Sequence, residues 1–182
     1  VLLVIFDEVI SGVRVAVGGN AEKLGIATDL VTYWKVIGGG FPVGCCAGKK
    51  EVMNLLAPEG RVYHAGTMAA HPVSMVAGLA TLNIVSTAEF YLELEQRTAY
   101  FVDEINHFSR KNGIPFDVTH YESLFWLHYN PEKKPIRSTK DFSEKMGDEY
   151  KKVFSLCLEG GVFLPPSPYE VGFVSSHHDA PL

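Results

Sequence analysis

The chain has 182 residues, 47% of them apolar and 20% charged, with a formal net charge of −5. That is ordinary globular composition, and basic residues scattered in pairs such as Lys49-Lys50 and Lys133-Lys134 argue against a nucleic-acid partner. No apolar run approaches the roughly 18 residues of a membrane span, and the first residues lack a basic leader and a cleavage site, so no membrane is expected and a cytoplasmic or organelle-matrix location is. Three cysteines, two of them adjacent at Cys45 and Cys46, make no disulfide framework.

The chain opens with VLLVIFDEVISG. An apolar run without alternation predicts a strand covered on both faces, as in a parallel sheet flanked by helices. Ligands in such folds gather at strand C-termini, so Asp7 points toward a ligand crevice. Val9, two residues on, shares that strand face if the extended geometry continues. A short helical or irregular segment follows Gly18-Gly19, and a second strand spans Leu30 to Tyr33. The glycine run Gly38 to Gly40 permits positive φ and close backbone approach before a third strand at Val43 to Ala47. Lys49 to Leu56 predicts a short helix, and Pro72 suits the first turn of a helix ending near Val85. That helix is apolar all round and is expected to be buried.

Near residue 87 the composition shifts. Glu89 to Lys111 reads as a charged helix with Tyr91, Leu94, Tyr100 or Phe101, Ile105 and Phe108 at helical spacing, closed by Asn112-Gly113. Strands are expected over Pro115 to His120 and Ser123 to Tyr129, with Asn130 to Pro135 as a hairpin-like connection. A helix is expected from Thr139 to Leu158, then a strand, a Pro-rich loop and a last strand within VFLPPSPYEVGFVSS. Helices over a small antiparallel sheet make an α+β unit.

Most site chemistries find no support. The segment GCCAGKK has three residues rather than four between its glycines and lacks the Ser or Thr of a phosphate-binding loop. His64 and His71 are seven apart, and no Cys-x-x-Cys or His-x-x-x-His spacing occurs, so no metal is expected. No G-x-S-x-G elbow is present. What remains is Asp7, Val9, Lys35 with its glycine run, and Gly66-Thr67. A Lys between a strand and a glycine loop, together with an acid at a strand end, suits pyridoxal-phosphate chemistry, which needs an amine for a Schiff base and an acid against the pyridinium nitrogen.

The stretches FDEVISGVRVAVGG, YWKVIGGGFPVG, YHAGTMAAHPVSMVAGLATL and GVFLPPSPYEVGFVSS resemble the C-terminal half of the class III, fold-type I pyridoxal-phosphate-dependent aminotransferase family. Within it they are most similar to the glutamate-1-semialdehyde 2,1-aminomutase branch. The resemblance implies that Asp7 pairs with the pyridine nitrogen, Val9 packs on the ring, and Lys35 forms the Schiff base. Gly66 and Thr67 would reach the cofactor phosphate of a partner subunit, which implies a homodimer. Glu170 stands where related transaminases carry an arginine for the substrate carboxylate. Trp34 before the Lys, and Ala70-His71 before Pro72, depart from the family pattern.

The expectation is therefore an α/β chain: residues 1–87 as the end of a cofactor-binding large domain and 88–182 as a small α+β domain. The implied reaction is the isomerisation of glutamate-1-semialdehyde to 5-aminolevulinate, an amino-aldehyde substrate on the way to porphyrins. The family's N-terminal half, with its phosphate loop, lies outside these residues, so the chain alone is expected to be inactive. An aminotransferase or amino-acid racemase of the same fold is the alternative, and a non-catalytic fragment is the alternative of a different class.

Overall fold

Two short parallel strands frame the first part of the molecule. In the computed structural model, which describes residues 2–178, β1 (Ile5–Glu8) pairs with β2 (Leu30–Tyr33) so that Asp7 lies opposite Thr32 and Glu8 opposite Tyr33. The crossover between them carries α1 (Gly19–Leu24), ended by Gly25 at φ 64°. β3 (Cys45–Gly48) adds antiparallel to β2, giving the order β1-β2-β3. Between β2 and β3 the chain makes a 3-10 turn over Lys35–Gly38. α2 (Lys50–Met53) and α3 (Pro72–Val85) follow.

The molecule divides into two units, Val1–Tyr91 and Leu92–Leu182, within the long helix α4 (Ala88–Lys111). In the first unit Val13, Val85 and Tyr91 are the buried centre, with Val36, Ile37, Leu82 and Phe90 packed around them. The Tyr91 hydroxyl donates to the Val13 carbonyl at 3.2 Å, so its polar end is satisfied inside the core.

Two expectations fail here for one reason. The opening run is not covered on both faces: Leu2 is 95% exposed and Ile5 64%, because β1 is an edge strand with a single neighbour. α3 has the predicted limits but is not buried. Only Ser74, Gly78 and Val85 are enclosed, while Val76 and Leu79 lie open. That stripe is the part of α3 that meets the Lys35–Gly38 turn, and among the described residues nothing covers the rest.

In the second unit β4 (Phe116–Tyr121), β5 (Leu124–Tyr129) and β6 (Gly172–Phe173) form an antiparallel sheet in that order. The Asn106 side chain on α4 donates to the Val118 carbonyl and accepts from its N–H, both at 2.8 Å, so helix and strand are fixed in register. The buried seam of α4 here is Leu94, Thr98, Val102 and Ser109, whereas Tyr100 and Phe108 are exposed. The aromatics sit beside the 3.6-residue stripe rather than on it.

The β4–β5 hairpin turns at Glu122-Ser123, with Glu122 at φ 53°, between the two expected strands, and Asn130 to Pro135 follows β5. That later segment is a separate turn organised by Asn130, whose side chain donates to Asp117 and to the Lys134 carbonyl and accepts from the Lys134 N–H. The predicted helix from Thr139 is also split. Asp141 accepts the N–H groups of Arg137 and Ser138 and closes a 3-10 turn, Thr139–Asp141, and α5 (Met146–Glu159) begins only later. Local capping competes successfully with continuation of the helix. The strand expected before the Pro-rich loop is absent, since Val162 folds back to the Cys157 carbonyl and Pro165-Pro166 offers no donor.

Candidate active site

The two acids at the end of β1 part company because successive strand side chains face opposite ways. Glu8 is fully buried. Its Oε1 accepts the Ala21 N–H at 2.7 Å, and its Oε2 takes the Ser11 hydroxyl. Gly19, at φ 79°, lies so close that a Cβ there would sit 2.7 Å from the Glu8 carboxylate. Glu8 thus staples the segment after β1 and the start of α1 onto the strand end. Burial, and next the Glu8 charge, push the neighbouring Tyr33 phenol up from its usual pKa.

Asp7 is exposed on the opposite face. Its Oδ1 accepts the Val9 N–H at 2.9 Å, and Oδ2 takes no hydrogen bond among the described residues. This side-chain turn corrects one expectation: the strand stops at Glu8, so Val9 is brought beside Asp7 by the turn and not by continued extended geometry. Gly12 closes the turn by donating to the Glu8 carbonyl at 2.9 Å, against a Tyr33 ring that leaves no space for a Cβ.

Lys35 begins the 3-10 turn two residues beyond the end of β2, at the same end of the parallel pair as Asp7. It is exposed, its amine has no ion-pair partner among the described residues, and its φ is +47°. A left-handed Lys costs about 1–2 kcal/mol, which the surroundings must offset. They do so through the glycine run: Gly38 is buried and Gly39, at φ 57°, caps the turn against α3. Close backbone approach, which the glycine run permits, is its use here.

Gly66 and Thr67 lie in an exposed turn ahead of α3, where the Gly66 carbonyl accepts the Ala69 N–H at 2.9 Å. The Thr67 hydroxyl has no partner among the described residues. Glu170 belongs to the second unit, on an exposed loop. That loop is pinned by the Trp126 ring N–H to the Pro168 carbonyl at 2.7 Å and by the Tyr150 hydroxyl to the Pro165 carbonyl at 2.6 Å. The structure therefore brings Asp7, Val9 and Lys35 to the C-terminal ends of β1 and β2. The roles of Glu8 and Gly19 are not legible in the sequence; the Gly18-Gly19 pair is the visible signal, and its reason is the contact of Gly19 with Glu8 on the preceding strand.

A sequence model of the family described as Aminotransferase class-III matches residues 1–125. A protein named glutamate-1-semialdehyde 2,1-aminomutase from Bdellovibrio bacteriovorus is 50% identical over 180 residues, 99% of this chain and 42% of that protein. Among solved structures, an omega-transaminase from Sphaerobacter thermophilus superposes with a TM-score of 0.81 at 33% identity, over 96% of this chain and 40% of that one. A transaminase with PLP bound gives 0.78 at 27% identity, over 95% and 39%. The chain thus spans about two fifths of the length of the relatives it matches, and its mixed α/β fold is theirs.

Proposed function

Because the chain belongs to the class-III aminotransferase family, we propose that the whole protein is a pyridoxal-phosphate-dependent aminomutase that converts glutamate-1-semialdehyde into 5-aminolevulinate, a step toward porphyrins. The observation that carries the reading is the placement of Asp7 and Lys35 at the same end of two parallel strands, in a chain half identical to a protein of that name.

The residues fit the cofactor. A carboxylate with one oxygen committed and one open, and at the same strand ends a lysine amine with no ion-pair partner, both among the described residues, make the donor set a pyridine aldehyde requires. Bound there, pyridoxal phosphate supplies a carbonyl for condensation with amines and a protonated ring that withdraws electrons. Asp7 Oδ2 would hold the proton on the ring nitrogen, and Val9 would pack on the ring. Lys35 Nζ would supply the amine that holds the group and, when free, the base that moves protons between carbon atoms. The Thr67 hydroxyl donates to the phosphate in a partner subunit's site, which makes the protein a homodimer. Glu170 accepts from a substrate amino group and repels a second carboxylate. In this reading residues 1–87 end the large domain and 88–182 form the small one.

The test is to incubate the complete protein with glutamate-1-semialdehyde alone and, separately, with common amino donors plus 2-oxoglutarate. Appearance of 5-aminolevulinate in the first mixture is expected. Efficient glutamate formation in the second, with none in the first, supports instead an aminotransferase, the second reading favoured by likeness to the omega-transaminase.

A further inference from the structure

The turn that carries Lys35 is seated directly on the backbone of α3. A Cβ on Gly78 would lie 2.3 Å from the Ile37 carbonyl oxygen. A Cβ on Gly39 would lie 2.4 Å from Thr81 Oγ1 and 2.6 Å from the Ala77 carbonyl oxygen. Neither contact could accommodate a side chain without displacement. Val36 and Ile37 point into the core beside Leu82 of the same helix, so the turn is held from two directions. At its other side Tyr33 is fixed by ladder pairing with Glu8 and Cys45. Trp34 and Lys35 join these two fixed points, and Lys35 adopts φ +47° in doing so.

We infer that Gly78 is a positioning residue for Lys35: the missing side chain lets the Lys35–Gly38 turn seat on α3, and that seating sets the direction in which the Lys35 amine leaves the backbone. The inference rests on the reading of Lys35 as the cofactor lysine. Gly78 touches neither cofactor nor substrate and acts through the Ile37 carbonyl.

The test compares Gly78→Ala with Ala80→Gly in the complete, cofactor-loaded protein. Ala80 lies on the exposed face of the same helix. The readouts are Tm and the pH midpoint of the visible absorbance of the lysine-bound cofactor. Gly78→Ala gains helix propensity yet must displace the Ile37 carbonyl, so its midpoint moves by about half a pH unit or more. Ala80→Gly lowers Tm and leaves the midpoint in place. A wild-type midpoint in Gly78→Ala overturns the inference whatever its Tm. Should that variant fail to fold, Thr81→Ala, which loosens the Gly39 contact, decides: a moved midpoint supports the inference and an unmoved one overturns it. Lys35→Ala reports on the underlying reading, because a visible band surviving there means another residue holds the cofactor.

Discussion

The backbone N–H of Val9 donates to Asp7 Oδ1 at 2.9 Å, so the turn after β1 commits one edge of the carboxylate and leaves the other facing out. The same turn is tied down on its far side by the Glu8 carbonyl and carboxylate. Asp7 is thus oriented by local bonds before any ligand arrives, which lowers the ordering cost of binding.

Asp7→Asn tests that arrangement without dismantling it. The amide oxygen still accepts from Val9, so the fold and cofactor content are retained, but the outward edge becomes a neutral donor that cannot hold a ring proton. Turnover of the complete enzyme should fall by at least about 100-fold, the scale of losing one preorganised electrostatic partner. Steady-state assay beside cofactor absorbance checks it; unchanged turnover would make Asp7 structural.

Glu8 is expected to behave in the opposite way, as a stability residue. Glu8→Ala strands the Ala21 N–H and the Ser11 hydroxyl and should cost about 2–4 kcal/mol. Glu8→Gln can still accept from Ala21 and donate to Ser11, so it should cost less than half as much. Chemical denaturation of both variants gives the comparison, and equal losses would contradict the hydrogen-bond account.

His128, 2% exposed and stacked on Trp126 with ring centroids 4.4 Å apart, has its pKa lowered from the usual 6.5, chiefly by burial, with the Trp126 carbonyl and Asp117 opposing the effect and Lys133 adding to it. A depressed folded value means the unfolded chain binds the proton first. Stability from this group is therefore complete above about pH 6.5 and is lost as pH falls from there through the folded value. Tm measured from pH 8 to 5 should decline more steeply in wild type than in His128→Gln; parallel curves would exclude the histidine as the cause.

Glu170→Arg reverses the charge on the loop pinned by Trp126 and Tyr150. An arginine there offers a bidentate partner to a substrate carboxylate, a charged hydrogen bond being worth about 1.5–3 kcal/mol. Transamination of 2-oxoglutarate by the complete enzyme should rise about tenfold or more. No change would remove Glu170 from the substrate site.

Thr67→Ala and Lys35→Ala, each weak or inactive alone, provide a test of shared sites. If Thr67 serves the partner's site, a mixed dimer contains one site carrying both defects and one intact site, so unfolding and refolding the two variants together should restore activity. If Thr67 serves its own subunit's site, every site in the mixture is damaged and nothing is regained.

Local sequence determined the limits of β2 and α3, the Asn112-Gly113 end of α4 and the candidacy of Asp7 and Lys35, because an apolar run, a proline at a first helical turn, a glycine cap and an acid at a strand end act through neighbours along the chain. It did not determine burial. The residues of β1 and α3 read as core, and their exposure depends on which strands and helices lie beside them, not on their own composition. The division of labour between Asp7 and Glu8 was likewise undecided by their adjacency. It took the crossover through α1, returning Ala21 and Gly19 to the end of β1, to bury one carboxylate under the Ala21 N–H while strand alternation turned the other outward. The glycines follow the same logic: their number was plain in the sequence, but the need for Gly39 and Gly78 exists only where a turn and a helix far apart in the chain press backbone against backbone.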